Sequence, residues 1–199
     1  ATGAGGDGTS WAQAMALSDA LAAASGGDDL YLAGGTYGST DNNTNAAASD
    51  EQASSIFTVS SAVNIYGGFN GSTHDSIDDR FSGQPNNIFA GHPSSTTTIL
   101  GANGKRPLYL KANARLDGLT IQGGSNVAGE GGGVYVKSGA TIWKCKIKSN
   151  SATSNGGGLY VKAGTVKFVW SYLQSNTSSG DGGGFYFETA SSATMKAVN

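Results

Sequence analysis

The sequence predicts an all-β chain wound as a parallel β-helix, a solenoid, with one capping α-helix near its start. Three observations predict it. The pattern hydrophobic-Tyr-hydrophobic-charged recurs at 108–111, 134–137, 159–162 and 185–188, its tyrosines 26, 25 and 26 residues apart. A shift of 26 residues aligns Ala114, Ala140 and Val166, then Leu116, Ile142 and Phe168, then Ile121, Ile147 and Leu173, all small or apolar. Between these columns lie Gly, Ser and Asn, and no helical period appears after residue 26. Units of this length bury an apolar face only by stacking on their neighbours, with strands spaced ~4.7 to 4.9 Å apart. A propeller blade needs about 40 residues, so that architecture does not fit.

Residues 10–25 read as the helix. Ser10 and Gln13 have the spacing of a capping box, Trp11, Ala14, Met15, Leu17 and Leu21 share a face, and Gly26 is the expected stop. Its expected use is to cover the apolar end of the stack. Residues 28–104 then read as irregular units with strands at Leu30–Leu32, Val63–Tyr66 and Thr98–Leu100, interrupted by long polar excursions over 38–54 and 70–96. Residues 105–199 hold the regular units. Glycine triplets at 131–133, 156–158 and 182–184 mark sharp corners, and Ser149-Asn150 and Ser175-Asn176 mark turns. Aligned on those turns, Asn199 falls at the Lys144 position, so the last unit is expected to stop in mid-strand.

The 199 residues suit one core, and the whole chain reads as a single domain. Although 32 residues are glycine and 13% are charged, the periodicity and a 38% hydrophobic fraction separate the chain from disordered ones. No apolar run approaches the roughly 18 residues of a membrane helix, and residues 1–20 lack the basic and apolar regions of a signal peptide. Cys145 is a single cysteine in an inward column, which points to a buried thiol and excludes an intrachain disulfide. Charge is uneven: residues 1–104 carry ten acids and one base, whereas 105–170 carry ten bases and two acids.

The segments Asp7-Gly8-Thr9-Ser10-Trp11, Leu30-Tyr31-Leu32, Ala33-Gly34-Gly35-Thr36-Tyr37, Ile65-Tyr66-Gly67-Gly68-Phe69 and Thr98-Ile99-Leu100-Gly101 resemble the start of bacterial right-handed parallel β-helix proteins of the pectate-lyase-like superfamily. The glycine corners with Ile147-Lys148-Ser149-Asn150 and Leu173-Gln174-Ser175-Asn176 are similar to the repeats of polymorphic outer-membrane proteins, which usually carry Gly-Gly-Ala. The resemblance implies a right-handed winding and a secreted or cell-surface location. It spans lyases, hydrolases, tailspikes and adhesins, so it does not choose an activity.

Chemistry gives a narrower choice. Uronate elimination needs a base near an acid-bound cation, and Asp117, Glu130, Asp181 and Glu188 fall on separate units. Glu130, Asn155 and Asp181 each precede a glycine triplet, but one of them is neutral, a poor calcium ladder. No facing carboxyl pair for glycoside hydrolysis is evident, and His74, Asp75, Asp78 and Asp79 with His92 sit in a polar excursion. No catalytic residue, metal or cofactor is therefore assigned. Alternation within the strands turns Tyr109, Tyr135, Tyr160 and Tyr186 outward as a ladder, beside Lys111, Lys137, Lys162 and Glu188. A second outward strip holds Arg115, Lys144, Lys146, Lys148, Lys167, Trp170 and Tyr172. Aromatic rings flanked by cations suit sugar faces and their carboxylates or sulfates, while the other reading of the tyrosine ladder is stacking of its rings on one another between units, with no ligand involved. The expected function is non-catalytic adhesion or contact with a polysaccharide or surface glycan. The alternative is a lyase or hydrolase acting on a uronate-containing glycan. A negative net charge argues against nucleic acid, and oligomeric state is left open.

Overall fold

The computed structural model describes residues 8–38, 55–71, 77, 80, 96–125, 127–188 and 191–196. A 3-10 turn at Trp11–Gln13 and α1 (Leu17–Ala23) come first. The strands follow in a fixed rotation. β1 (Asp29–Ala33), β2 (Gly35–Tyr37) and β3 (Ser55–Val59) are followed by β4 (Asn64–Phe69), β5 (Thr97–Leu100) and β6 (Arg106–Leu110). Next come β7 (Ala114–Asp117), β8 (Leu119–Gln122) and β9 (Val134–Val136), then β10 (Ala140–Trp143), β11 (Lys146–Lys148), β12 (Ser151–Ala152) and β13 (Leu159–Val161). β14 (Gly164–Val169), β15 (Tyr172–Gln174), β16 (Thr177–Ser178), β17 (Phe185–Phe187) and β18 (Ser191–Lys196) complete the order.

These strands build parallel sheets. The first sheet runs β1-β4-β7-β10-β14-β18, the second β2-β5-β8-β11-β15, the third β3-β6-β9-β13-β17, and β12 pairs with β16. Successive strands thus visit the first, second and third sheets in turn. Pairing falls on the columns legible in the sequence: Ala140 lies beside both Ala114 and Val166, Ile142 beside Leu116 and Phe168, and Ile147 beside Ile121 and Leu173. Leu116, Ile142, Ile121 and Ile147 are fully buried in one core cluster with Val134, Val136 and Val161. Burying each such side chain contributes about 1.5 to 3 kcal/mol, which makes these columns the main source of cohesion.

Each sheet keeps its own register. From β9 to β13 in the third sheet the spacing is 25, Val134 beside Leu159, yet from β10 to β14 in the first and from β11 to β15 in the second it is 26, Ala140 beside Val166 and Ile147 beside Leu173. The residue lost at one corner is regained at the next. Corners also repeat their backbone conformation. Gly118, Lys144 and Trp170 have φ of 71°, 50° and 52°, so a left-handed position that suits glycine is occupied by a lysine and a tryptophan in later units. Gly131, Gly156 and Gly182 open the triplets at φ of 67° to 68°. A Cβ on the middle residue Gly157 would collide with the carbonyls of Thr177 and Gly183, which is why the triplet tolerates no side chain there.

The N-terminal helix is shorter than expected. Ser10 makes no side-chain cap bond, and Ala14 and Ala16 are extended, so the span 10–25 divides into the 3-10 turn and a seven-residue helix ending at Ala23. Gly8 N–H donates to Gln13 O at 2.7 Å and closes the first part as a turn. Tertiary packing overrides the alanine-rich propensity: Leu17 and Leu21 must enter the core cluster, and α1 lies against β3, the outermost strand of the third sheet. Among the described residues no helix is long and apolar enough to cross a membrane.

The expected excursions at 38–54 and 70–96 lie mostly outside the described residues, including Asn42, His74, Asp75, Asp78, Asp79 and His92. Arg80, from the second, is 1% exposed: its guanidinium donates to Gly67 O at 3.0 Å, Ile77 O at 2.9 Å and Asp117 Oδ1 at 3.2 Å. At the other end, β18 sets Lys196 beside Val169, in the Trp143 column one residue before the Lys144 and Trp170 position, and Asn199 lies outside the described residues.

Candidate functional site

The tyrosine ladder exists, in a different environment from the one expected. Tyr109, Tyr135, Tyr160 and Tyr186 stand side by side on the third sheet with ring centroids 5.2, 5.0 and 5.7 Å apart, the last pair parallel to within 3°. They form a cluster separate from the main core, as alternation requires. Yet Tyr109, Tyr135 and Tyr160 are only 1 to 2% exposed, which corrects the expectation of an open contact surface. Part of the cover is visible. Arg106, itself 1% exposed, lies over the Tyr135 ring at 5.2 Å and donates to Gly131 O and Glu130 O at 2.9 and 2.7 Å. Facing away from one core does not mean facing water when a glycine corner folds back over the rings.

The last rung is tied by charge. Tyr160 OH donates a short hydrogen bond to Glu188 Oε1, and Lys162 Nζ lies 3.1 Å from the same oxygen. Burial, then the Glu188 bond and charge, pushes the Tyr160 phenol well above its ordinary value. The Tyr160 and Lys162 bonds hold the Glu188 carboxyl below its own. Lys162 is therefore an engaged cation, while Lys137 is exposed.

The second strip divides between two sheets. Arg115 and Lys167 lie on the first, Lys146, Lys148 and Tyr172 on the second, and Lys144 and Trp170 at the left-handed corner joining them. Arg115 is committed to structure: it donates to Asp117 Oδ2 at 2.6 and 3.2 Å and sits between the Tyr66 and Trp143 rings at 5.7 and 5.4 Å. On the second sheet the arrangement differs. Lys146 stands between Thr120 and Tyr172, and Lys148 between Gln122 and Gln174. Lys146 Nζ is 5.8 Å from the Tyr172 ring, which is 39% exposed. Partial burial, and then the Lys148 charge, lower the Lys146 ammonium from its ordinary value. Neither lysine joins an ion pair among the described residues. Two cations two positions apart, flanked by glutamine amides and a half-open phenol, can take an anion that brings hydroxyl groups with it.

The remaining sequence candidates resolve simply. Cys145 is completely buried, and burial raises its thiol to about 12, the setting of an inert core residue. Asn155 Oδ1 accepts the Asp181 N–H at 2.8 Å, so it is occupied in bracing the glycine corner. Two features were not foreseen. Gln122 and Gln174 carry no chemical signature of their own and gain meaning only beside Lys148. The group Tyr31, Tyr66 and Phe69, with centroids 4.9 to 5.8 Å apart about Tyr31, was hidden because β1 and β4 are 35 residues apart rather than 26. Comparison of the chain with protein-family models, curated proteins and solved structures finds no match in any of the three.

Proposed function

We propose that the chain is a right-handed parallel β-helix domain of a secreted or cell-surface protein, and that it contacts an anionic glycan without catalysis. The observation carrying this reading is the Lys146 and Lys148 pair on the outer face of the second sheet, flanked by Gln122 and Gln174 and adjoined by Tyr172. The rotation of strands through three parallel sheets supports the winding. Strand spacing of ~4.8 Å presents such side chains at intervals close to one pyranose unit, so a polysaccharide crossing the strands meets a new row with each sugar. Carboxylate or sulfate groups pair with the ammonium groups, sugar hydroxyls with the amides, and a sugar face with the Tyr172 ring.

Lys146 also motivates the second reading. An amine with a lowered pKa is the kind of base that uronate elimination uses. One experiment separates the two. Polygalacturonate, dextran sulfate and neutral dextran are titrated against the protein by calorimetry, while absorbance follows new unsaturated ends. Salt-sensitive binding of the two anionic polymers, weakened in Lys146→Ala/Lys148→Ala, is expected. Turnover lost in Lys146→Ala would establish the lyase reading instead, and equal binding of neutral dextran would refute the charge-based site.

A further inference from the structure

Among the described residues, strand β1 ends the first sheet and pairs on one side alone, with β4. In a parallel ladder, alternate residues bond to opposite sides. Asn64 N–H donates to Asp28 O at 2.9 Å in the register that sets Asp29 beside Asn64. Asp28 and Leu30 therefore bond toward β4, and Asp29 and Tyr31 turn their backbone N–H and C=O groups to the free edge. That edge opens on a groove of about 590 Å³, with Asp28, Asp29 and Tyr31 on the strand side and Met15, Leu17 and Ala20 on the opposite wall.

Three properties of the groove agree on one occupant. An unpaired row of backbone donors and acceptors is a template for a further strand. The wall beyond it is mainly apolar, Met15 and Leu17 among the alanines at 14, 20, 23 and 24. The charged residues lining it are both acids, Asp28 and Asp29. Their oxygens are held by neutral donors, Ser25 N–H and Asn64 Nδ2, each at 2.8 Å, and neither carboxylate joins an ion pair among the described residues. Both negative charges are thus fixed in place and open to a cation. We propose that this groove binds an extended peptide of a partner protein, added as a strand to β1, with apolar side chains toward Met15 and Leu17 alternating with basic ones toward Asp29. Alternation follows from strand geometry: Leu30 faces the core side and Asp29 and Tyr31 the other, so an added strand must match both faces.

The test uses labelled Ac-Lys-Val-Lys-Val-Lys-amide, its Glu-for-Lys counterpart, and a version with proline at the centre, with binding read by fluorescence anisotropy and backbone protection by hydrogen exchange. Expected are salt-sensitive binding of the basic peptide alone and new protection of the Asp29 and Tyr31 amides. Asp28→Asn and Asp29→Asn each weaken it about two- to fivefold. Asp29→Pro keeps the β4 ladder, because proline is tolerated at the first residue of a strand, but removes the edge N–H, and weakens binding at least about tenfold. Unchanged thermal unfolding of that variant shows it is folded; Asn64 amide protection gives the same control if its melting point moves. The proposal is overturned if the Asp29 and Tyr31 amides are already protected in the free protein, if the basic peptide does not bind, if the acidic peptide binds as well, or if Asp29→Pro behaves like Asp29→Asn.

Discussion

Asn150 and Asn176, one repeat apart, form a side-chain ladder: Asn150 Nδ2 donates to Asn176 Oδ1 at 3.0 Å, and the two amides also donate to Ile121 O and Ile147 O at 3.2 and 2.8 Å. Asn150 Oδ1 further accepts the Gly124 N–H at 3.0 Å, and its residue is 2% exposed. Asn150→Ala leaves several buried polar groups without this partner and is expected to cost about 2 to 4 kcal/mol in urea unfolding. Asn176→Ala, at a half-buried turn, costs less. Equal effects of the two would show that burial does not set the strength of the ladder.

The covered tyrosines should matter to stability rather than to ligands. Tyr135→Ala is expected to lose about 3 to 5 kcal/mol, from lost burial and the space left between neighbouring rings. Tyr135→Phe keeps the ring contacts and should bind dextran sulfate as the parent does. Loss of binding in a stable Tyr135→Phe protein would restore the ladder as a contact surface.

Asp117 joins Arg80, at 3.2 Å, to Arg115, at 2.6 Å, with Arg80 and Asp117 almost wholly buried. Removing one member of a buried pair is far more damaging than the pair is beneficial. Asp117→Asn should therefore destabilise by about 3 to 5 kcal/mol and loosen the Arg80 bond to Gly67 O, seen as faster exchange at the neighbouring Gly68 amide.

Glu188 and Tyr160 predict opposite pH dependences. The Glu188 carboxyl is lowered in the folded protein, first by the Tyr160 bond and then by Lys162, so its contribution is present above the unfolded value and lost as pH falls through the folded one. The Tyr160 phenol is raised, so its contribution is full below its ordinary value near 10 and is lost as pH rises through the folded value. Melting temperatures of Glu188→Gln should be flatter than the parent's on the acid side, and those of Tyr160→Phe flatter above about pH 10. A parallel fall of parent and variant at both extremes would rule the pair out as the cause.

Cys145 offers a clean check on the inward columns. With its thiol completely buried and raised to about 12, it should not react with a disulfide reagent at pH 8 until the protein is unfolded in urea. Rapid labelling of the native protein would place that column at the surface.

Parallel β character was legible because apolar residues one repeat apart must be neighbours. Leu116, Ile142 and Phe168, spaced by 26, carry the register of the first sheet. Exposure was less legible. Alternation says that Tyr135 leaves the main core, but says nothing of Arg106 and a glycine corner closing over it. Chain segmentation failed at residues 10–25, where alanine propensity favours one helix and the core takes only Leu17 and Leu21. The site was half visible: Lys146 and Lys148 stand out in the sequence, whereas Arg115 looks equally available until Asp117 is found beside it.

Independent registers in the three sheets make this chain editable one face at a time. The residue dropped between Ser149 and Ala152 and restored between Val161 and Val166 leaves every buried column aligned, because each corner absorbs its own change in length. A surface can then be rewritten by substituting one outward residue per turn of the chain, or lengthened into a new loop at a corner, while the interior keeps its old text. Diversity in such a molecule belongs at its angles and on its outer rows.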